Sequence, residues 1–277
     1  MTETPGTRPA FHRLGLLTGS KALAVLEQTR VLIFGLGGVG SWTAEALVRS
    51  GIGYITIVDN DTVCVTNINR QIQAVPATVG LPKAAALMQR LLLINPGCQV
   101  TAFNQVFSRE TAEIFEIEKA HYVIDAIDSL THKLDLIETV VHPVLFSSMG
   151  MAAKLDPTRL KTADIWDTVG CPLARLVRQG LRKRGFTGHF TAVYSDEQAI
   201  RAVNAETFCG GAKCLCTNKD TEWCSSKKVI NGSAVPVTAA AGMILASLVL
   251  QDVLYKQDSS LEDSRDAFRT SKRPSGE

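Results

Sequence analysis

The chain has 277 residues, of which 45% are hydrophobic, 20% charged and 6% aromatic, with 29 basic against 27 acidic side chains. It is too apolar and too balanced for a disordered chain, and its length suits one large α/β domain or a core with appendages. A net charge of +2 argues against a global field that captures nucleic acid, while leaving room for a local basic patch.

The start, Met1 to Ala10, is polar and contains Pro5 and Pro9. It lacks an apolar signal core, so a cytoplasmic protein is expected. Lys21 to Gln28 reads as a short helix. Val31 to Phe34 is an apolar run of buried-strand type, followed by Gly35-Leu-Gly-Gly-Val-Gly40 and a helical stretch from Ser41 to Ser50. Ile55 to Val58 is a second buried strand ending at Asp59. A strand, glycine loop, helix and strand in this order predict a parallel sheet with right-handed crossovers.

The pattern continues with a helix over Lys83 to Ile94, a strand over Gln99 to Phe103, a helix over Thr111 to Ile117 and a strand over Tyr122 to Asp125. A helix from about Ser129 to Val141 and a strand over Val144 to Ser147 follow. Residues 1–150 are therefore expected to form a Rossmann-like, doubly wound α/β core with a mainly parallel sheet. Residues 151–277 are expected to form a smaller, mixed, substrate-facing region, in one compact unit with the core. Its elements are strands at Leu160 to Trp166 and Phe190 to Tyr194, a basic helix at Pro172 to Arg184, a Cys-rich loop over about 204–228 and an apolar helix over Thr238 to Tyr255 packed on the sheet. The longest uncharged apolar stretch, Val235 to Leu250, holds Pro236 and is too short to span a bilayer, so no membrane partner is expected.

Gly35, Gly37, Gly38 and Gly40 permit a tight turn that brings backbone N–H groups to a phosphate at a helix N-terminus. Asp59 is placed to accept both ribose hydroxyls. These features alone would suit NAD, or a tight turn without a ligand. Arg70 and Lys83 favour ATP, because two cations beside the phosphate loop suit a triphosphate. Asp128 lies past the fourth strand, where a Mg²⁺ ligand would sit. The alternatives are solvated surface cations at Arg70 and Lys83 and a helix cap at Asp128.

Gly35-Leu-Gly-Gly-Val-Gly-Ser41, Asp59-x-Asp61, Asn67-x-x-Arg70-Gln71, Lys83 and Asp125-Ala-Ile-Asp-Ser129 together resemble the ubiquitin-activating-enzyme-like superfamily, the ThiF, MoeB and HesA proteins. The stretches Arg13 to Gly19, Thr66 to Ile72, Val123 to Ser129 and Leu155 to Thr158 resemble its tRNA threonylcarbamoyladenosine dehydratase branch. That resemblance implies an ATP- and Mg²⁺-dependent enzyme acting through an acyl-adenylate on the threonylcarbamoyl side chain of tRNA, closing a ring with release of AMP. It implies phosphate binding by the glycine loop, and ribose binding by Asp59 with Asp61 beside it. It also implies triphosphate orientation by Asn67, charge stabilisation by Arg70 and Lys83, and Mg²⁺ binding by Asp128. Arg13 matches an arginine that reaches the partner subunit's site in relatives, so a homodimer is implied. The alternative within the superfamily is adenylation of the C-terminus of a ubiquitin-like sulfur carrier. Some members of the branch carry a cysteine, associated with sulfur-relay partners, where this chain has Ala192; the resemblance therefore lends such a partner no support.

Seven cysteines in a chain read as cytosolic argue against a disulfide framework. Cys209, Cys214, Cys216 and Cys224 fall in one segment and can converge on a structural Zn²⁺. An iron–sulfur cluster, reactive thiols or incidental thiols are the other readings. Arg175, Arg178 and Arg182 stand at i, i+3 and i+7 and share a helix face, either to contact tRNA phosphates or as a solvated surface over inward Leu173, Leu176, Val177 and Leu181.

Overall fold

The computed structural model describes residues 9–200 and 232–257. Seven strands form one sheet: β1 (Arg30–Phe34), β2 (Tyr54–Val58), β3 (Gln99–Phe103), β4 (Tyr122–Asp125), β5 (Val144–Ser148), β6 (Leu160–Asp164) and β7 (Thr191–Ser195). Their order is β3-β2-β1-β4-β5-β7-β6, with every pair parallel except β6 with β7. The expected mainly parallel, doubly wound sheet is present. The strands of the segment expected to be a smaller mixed region extend this same sheet.

The central strands β1 and β4 carry apolar runs, Val31 to Phe34 and Tyr122 to Ile124, because both sheet faces are covered. On β1, Val31 and Ile33 enter one apolar cluster, while Leu32 and Phe34 enter the other. The helices α1 (His12–Gln28), α2 (Gly40–Arg49) and α3 (Lys83–Ile94), with the C-terminal helix α6 (Val235–Gln257), cover the first face. Helices α4 (Leu130–Thr139) and α5 (Pro172–Lys183) cover the second.

Three local expectations change. Helix α1 begins at His12 rather than Lys21 and kinks at Gly19, whose φ of 80° suits glycine. Its first half leaves Leu16 and Leu17 exposed, so no closed amphipathic pattern announced it. The helix expected over residues 111–117 is instead two 3₁₀ turns, Ala112–Phe115 and Ile117–Lys119, joined through Glu116 at φ 47°. Phe115 and Ile117 both enter the cluster around Phe34, and an α-helix would set residues two apart on nearly opposite faces. Third, on α5 it is Ala174, Val177 and Leu181 that are buried, whereas Leu176 is exposed.

Helix α6 starts earlier than expected, with Pro236 in its first turn, where a missing N–H costs no helical bond. As formed, Val235–Lys256 is long and apolar enough to cross a membrane by length and composition, contrary to the reading of its uncharged stretch as too short. Its packing is that of a core helix: Val237, Ala241, Leu245, Val249 and Val253 are buried against α1, α2 and the sheet. Gly242 permits the closest approach, since a Cβ there would stand 2.6 Å from the Val39 carbonyl oxygen and 2.9 Å from Trp42 Cβ. Thr43 Oγ1 donates to the Gly242 carbonyl at 3.2 Å across the same contact. Gly242→Val is therefore expected to push α6 from α2 and lower stability by about 1–3 kcal/mol. The urea midpoint measures this; a midpoint equal to wild type would contradict the packing.

Candidate active site

The order β2-β1-β4 makes the crevice between β1 and β4 the point where strand order reverses, at the carboxyl edge of the sheet. The glycine loop fills that crevice. Gly35 lies at φ 87°, and a Cβ on it would sit 2.6 Å from the Ala126 carbonyl oxygen beyond β4. A Cβ on Gly40 would fall 1.9 Å from the Gly35 oxygen, so the turn cannot form with any side chain there. Gly37 has open space where a Cβ would be, and Gly38 lies against Arg70 Cγ and Thr238. The loop thus opens directly into the N-terminus of α2, where unpaired N–H groups favour an anion.

Asp59, just past β2, braces the loop from the other side. Its Oδ2 accepts the Leu36 N–H at 2.7 Å and its Oδ1 the Asp61 N–H at 2.9 Å. Each oxygen keeps a second lone pair, which fits a ribose diol. An isolated bridge between Thr62 and Pro82 brings the start of α3 alongside. Lys83 Nζ consequently lies 2.7 Å from Asp61 Oδ2 and 3.8 Å from Asp59 Oδ1, with a side chain only 7% exposed. Burial alone would lower the Lys83 pKa, but Asp59, Asp61 and Asp128 outweigh it and hold the ammonium above the ordinary lysine value. Burial likewise pushes the Asp59 carboxyl up, against the pull of Lys83. Lys83 is no solvated surface cation.

Arg70 is built into the site by its neighbours. Its carbonyl accepts the Trp42 indole N–H at 2.9 Å, and its guanidinium donates to the Thr66 carbonyl and to Asn69 Oδ1, both at 3.0 Å. Asn69 in turn donates to the Ser233 carbonyl at 2.8 Å, tying this turn to the chain entering α6. Asn67 is buried and its Oδ1 accepts the Cys64 N–H at 3.0 Å. Asp128 is exposed on the loop after β4, and its charge is felt at Lys83. The N-cap of α4 is Ser129, whose own side chain makes no capping hydrogen bond.

Gly35, Gly37, Gly38, Gly40, Asp59, Asp61, Asn67, Arg70, Lys83 and Asp128 are thus placed around one crevice. Arg13 is not brought to it. Phe11 packs on Gly51 beyond the far end of α2, which sets Arg13 at the end away from the glycine loop of its own chain. Arg175, Arg178 and Arg182 lie on the outer side of α5. Cys209, Cys214, Cys216 and Cys224 lie outside the described residues. Among the described residues no group of three or more His, Cys, Asp or Glu is arranged to hold a metal ion.

One buried group escaped the sequence reading. Lys133 on α4 is fully buried, and its ammonium donates to Asp125 Oδ2 at 2.7 Å, to the Ser148 carbonyl at 3.0 Å and to Ser147 Oγ at 3.3 Å. Ser147 donates to the same Asp125 oxygen at 2.6 Å, and Asp125 Oδ1 accepts the Ile127 N–H at 3.1 Å. The cluster shapes the loop that carries Asp128. Its signal was available: Lys133 stands one turn before Ile137, on the apolar face of α4.

The ThiF family model matches residues 12–272. The tRNA threonylcarbamoyladenosine dehydratase of Bacillus subtilis (strain 168) is 38% identical over 249 residues, covering 88% of this chain and 94% of that protein. Crystal structures of the Escherichia coli tRNA N6-threonylcarbamoyladenosine dehydratase in complex with ATP and with AMP each align with a TM-score of 0.77 at 32% identity, covering 93% of this chain and 98% of that one. A sulfur carrier protein ThiS adenylyltransferase of Escherichia coli (strain K12) is more distant, 28% identical over 213 residues, covering 72% of this chain and 81% of that protein.

Lys133→Met leaves the Asp125 carboxyl buried without its cationic partner, and is expected to cost about 3–5 kcal/mol in urea unfolding. Asp125→Asn added to Lys133→Met is expected to recover part of that loss. A double variant no more stable than the single one would show that the ion pair does not set the cost.

Proposed function

We propose that this chain, which belongs to the ThiF family and within it to the tRNA threonylcarbamoyladenosine dehydratase branch, adenylates the side-chain carboxylate of threonylcarbamoyladenosine in tRNA and promotes its cyclisation. The observation that carries this reading is the convergence of Lys83, Arg70, Asp59 and Asp128 on the glycine-loop crevice. A carboxylate resists attack because its leaving group would be an oxide. Attack by its oxygen on the α-phosphorus of ATP breaks the α–β phosphoanhydride bond and releases pyrophosphate. The leaving group on the acyl carbon is then AMP. A side-chain nitrogen attacks that carbon, loses its proton and expels AMP. The nucleoside has lost one water's worth of atoms, and its carboxylate oxygen has left on AMP. The nucleophile comes from the substrate, so no enzyme thiol is needed.

Catalysis of this kind is positioning and charge neutralisation. Backbone N–H groups of residues 37–40 donate to phosphate oxygens, Asp59 receives the ribose, and Asn67 orients the triphosphate. Lys83 and Arg70 offset the charge that grows on the leaving pyrophosphate. Three carboxylates, Asp59, Asp61 and Asp128, outnumber these two cations, so the crevice suits a triphosphate that arrives with a divalent cation. Asp128 would hold Mg²⁺, which supplies charge neutralisation across phosphate oxygens when bound. For assembly, the reading is a homodimer in which Arg13 reaches the partner's crevice. The exposure of Leu16 (75%) and Leu17 (83%) on α1, and of Met243 on neighbouring α6, supports it.

The test is mass spectrometry of the nucleoside after purified protein, ATP, Mg²⁺ and modified tRNA are combined. Loss of 18 Da with AMP formation is expected. An unchanged mass, or pyrophosphate exchange that requires a carrier protein instead of tRNA, would overturn the reading. Arg70→Ala and Asp128→Ala are expected to lower AMP formation on the order of 10²-fold or more with little loss of stability; near-wild-type turnover would remove the roles given. Lys83 has its pKa raised, so its charge is lost only as pH rises beyond the ordinary lysine range. The KM for ATP should therefore show no inflection from this group between pH 7 and 9. A rise in KM over that range in wild type, absent from Lys83→Arg, would contradict the assignment.

A further inference from the structure

The charged surface that the nucleotide crevice does not use is the outer side of α5. This helix holds no acidic residue, and its seating is fixed by Ala174, Val177 and Leu181 and by Gly180, where a Cβ would stand 2.5 Å from Leu134 Cδ1. Arg175 and Arg182 are thereby exposed, half-buried Arg178 flanks them, the three span about 10 Å of helix, and exposed Lys183 lies beside them. Among the described residues none of these four cations is in an ion pair, whereas the nearby Arg109, Arg159, Lys161 and Arg184 each face Asp or Glu. Two of the four are nonetheless held in place by uncharged neighbours. Arg178 donates to Thr168 Oγ1, and the Arg182 guanidinium lies over the Trp166 ring at 5.4 Å from its centroid. They are ordered without being neutralised, which lowers the cost of ordering them on an anion.

The helix also begins at the carboxyl edge of the sheet. Its first turn packs beside Gly150, just past the end of β5, where a Cβ would be 3.4 Å from Leu173 Cβ. β5 is the neighbour of β4, with Ser147 opposite Asp125 and Asp128 on the following loop. The first turn of α5 therefore lies at the same carboxyl edge of the sheet as the crevice, beside β5, the strand next to β4.

We propose that the outer face of α5 is the docking surface for the sugar–phosphate backbone of the tRNA, which lies along Arg175, Arg178, Arg182 and Lys183 and so presents its modified adenosine to the glycine-loop crevice; this rests on the tRNA reading above. The charged side chains of the helix are all basic, and they match a phosphodiester chain by charge. Each phosphate it neutralises releases counterions, which makes the affinity salt-dependent.

The experiment measures binding of fluorescently labelled substrate tRNA to the full chain by anisotropy over a series of salt concentrations. Arg175→Gln, Arg178→Gln and Arg182→Gln together are expected to weaken binding roughly ten- to a hundred-fold at low salt. The slope of log K against log salt should become shallower by about 2, with the KM for ATP unchanged. Because Arg178 and Arg182 also touch Thr168 and Trp166, a second variant, Arg175→Gln with Lys183→Gln, alters only cations without such contacts and is expected to make the slope shallower by about 1 or more. Wild-type affinity and slope in the second variant overturn the proposal. The reading on which it rests fails separately, by the absence of tRNA-dependent AMP formation in wild-type protein.

Discussion

A lysine ammonium taken out of water must be surrounded by negative charge, and Lys83 meets that condition by drawing separate segments together. Asp59 and Asp61 come from the end of β2, Asp128 from the loop after β4, and Lys83 itself from the first turn of α3. Asp59 also holds the Leu36 N–H, so the same carboxylate fixes the glycine loop and balances the lysine. The crevice is thus shaped before any ligand arrives, and much of the reorganisation a triphosphate would demand is already complete.

The sheet makes this possible by covering both faces. Apolar residues at successive positions of β1 leave no polar side for solvent, which confines the chemistry to the carboxyl edge. Two ion clusters then sit at that edge at different depths. Asp125, Lys133 and Ser147 are sealed and shape the loop, whereas Lys83, Arg70 and Asp128 border the crevice. Helix α5 starts beside the same edge and carries Arg175, Arg182 and Lys183, which no carboxylate among the described residues pairs.

Much of this was legible in the sequence because it depends on short-range patterns. The apolar runs of β1, β2, β4 and β5 mark buried parallel strands, and Gly35 to Gly40 between strand and helix marks the crevice. Lys133 was harder to read because a lysine on an apolar helix face is found only by asking what balances it, and its partner lies on a strand eight residues earlier. The 3₁₀ turns at residues 112–119 follow from two side chains needing one aromatic cluster, a tertiary demand that overrides helical propensity. The addition of β6 and β7 to the main sheet is likewise a matter of long-range pairing, which composition near residue 150 does not encode.

The central claim is that the tRNA carboxylate itself attacks ATP, and oxygen tracing tests it most directly. Substrate tRNA labelled with ¹⁸O in the side-chain carboxylate would be converted in unlabelled water, and the recovered AMP examined by mass spectrometry. Adenylation predicts one ¹⁸O atom in the AMP phosphate for each ring closed. Unlabelled AMP alongside the cyclic nucleoside, or ¹⁸O recovered in inorganic phosphate with ADP, would contradict it.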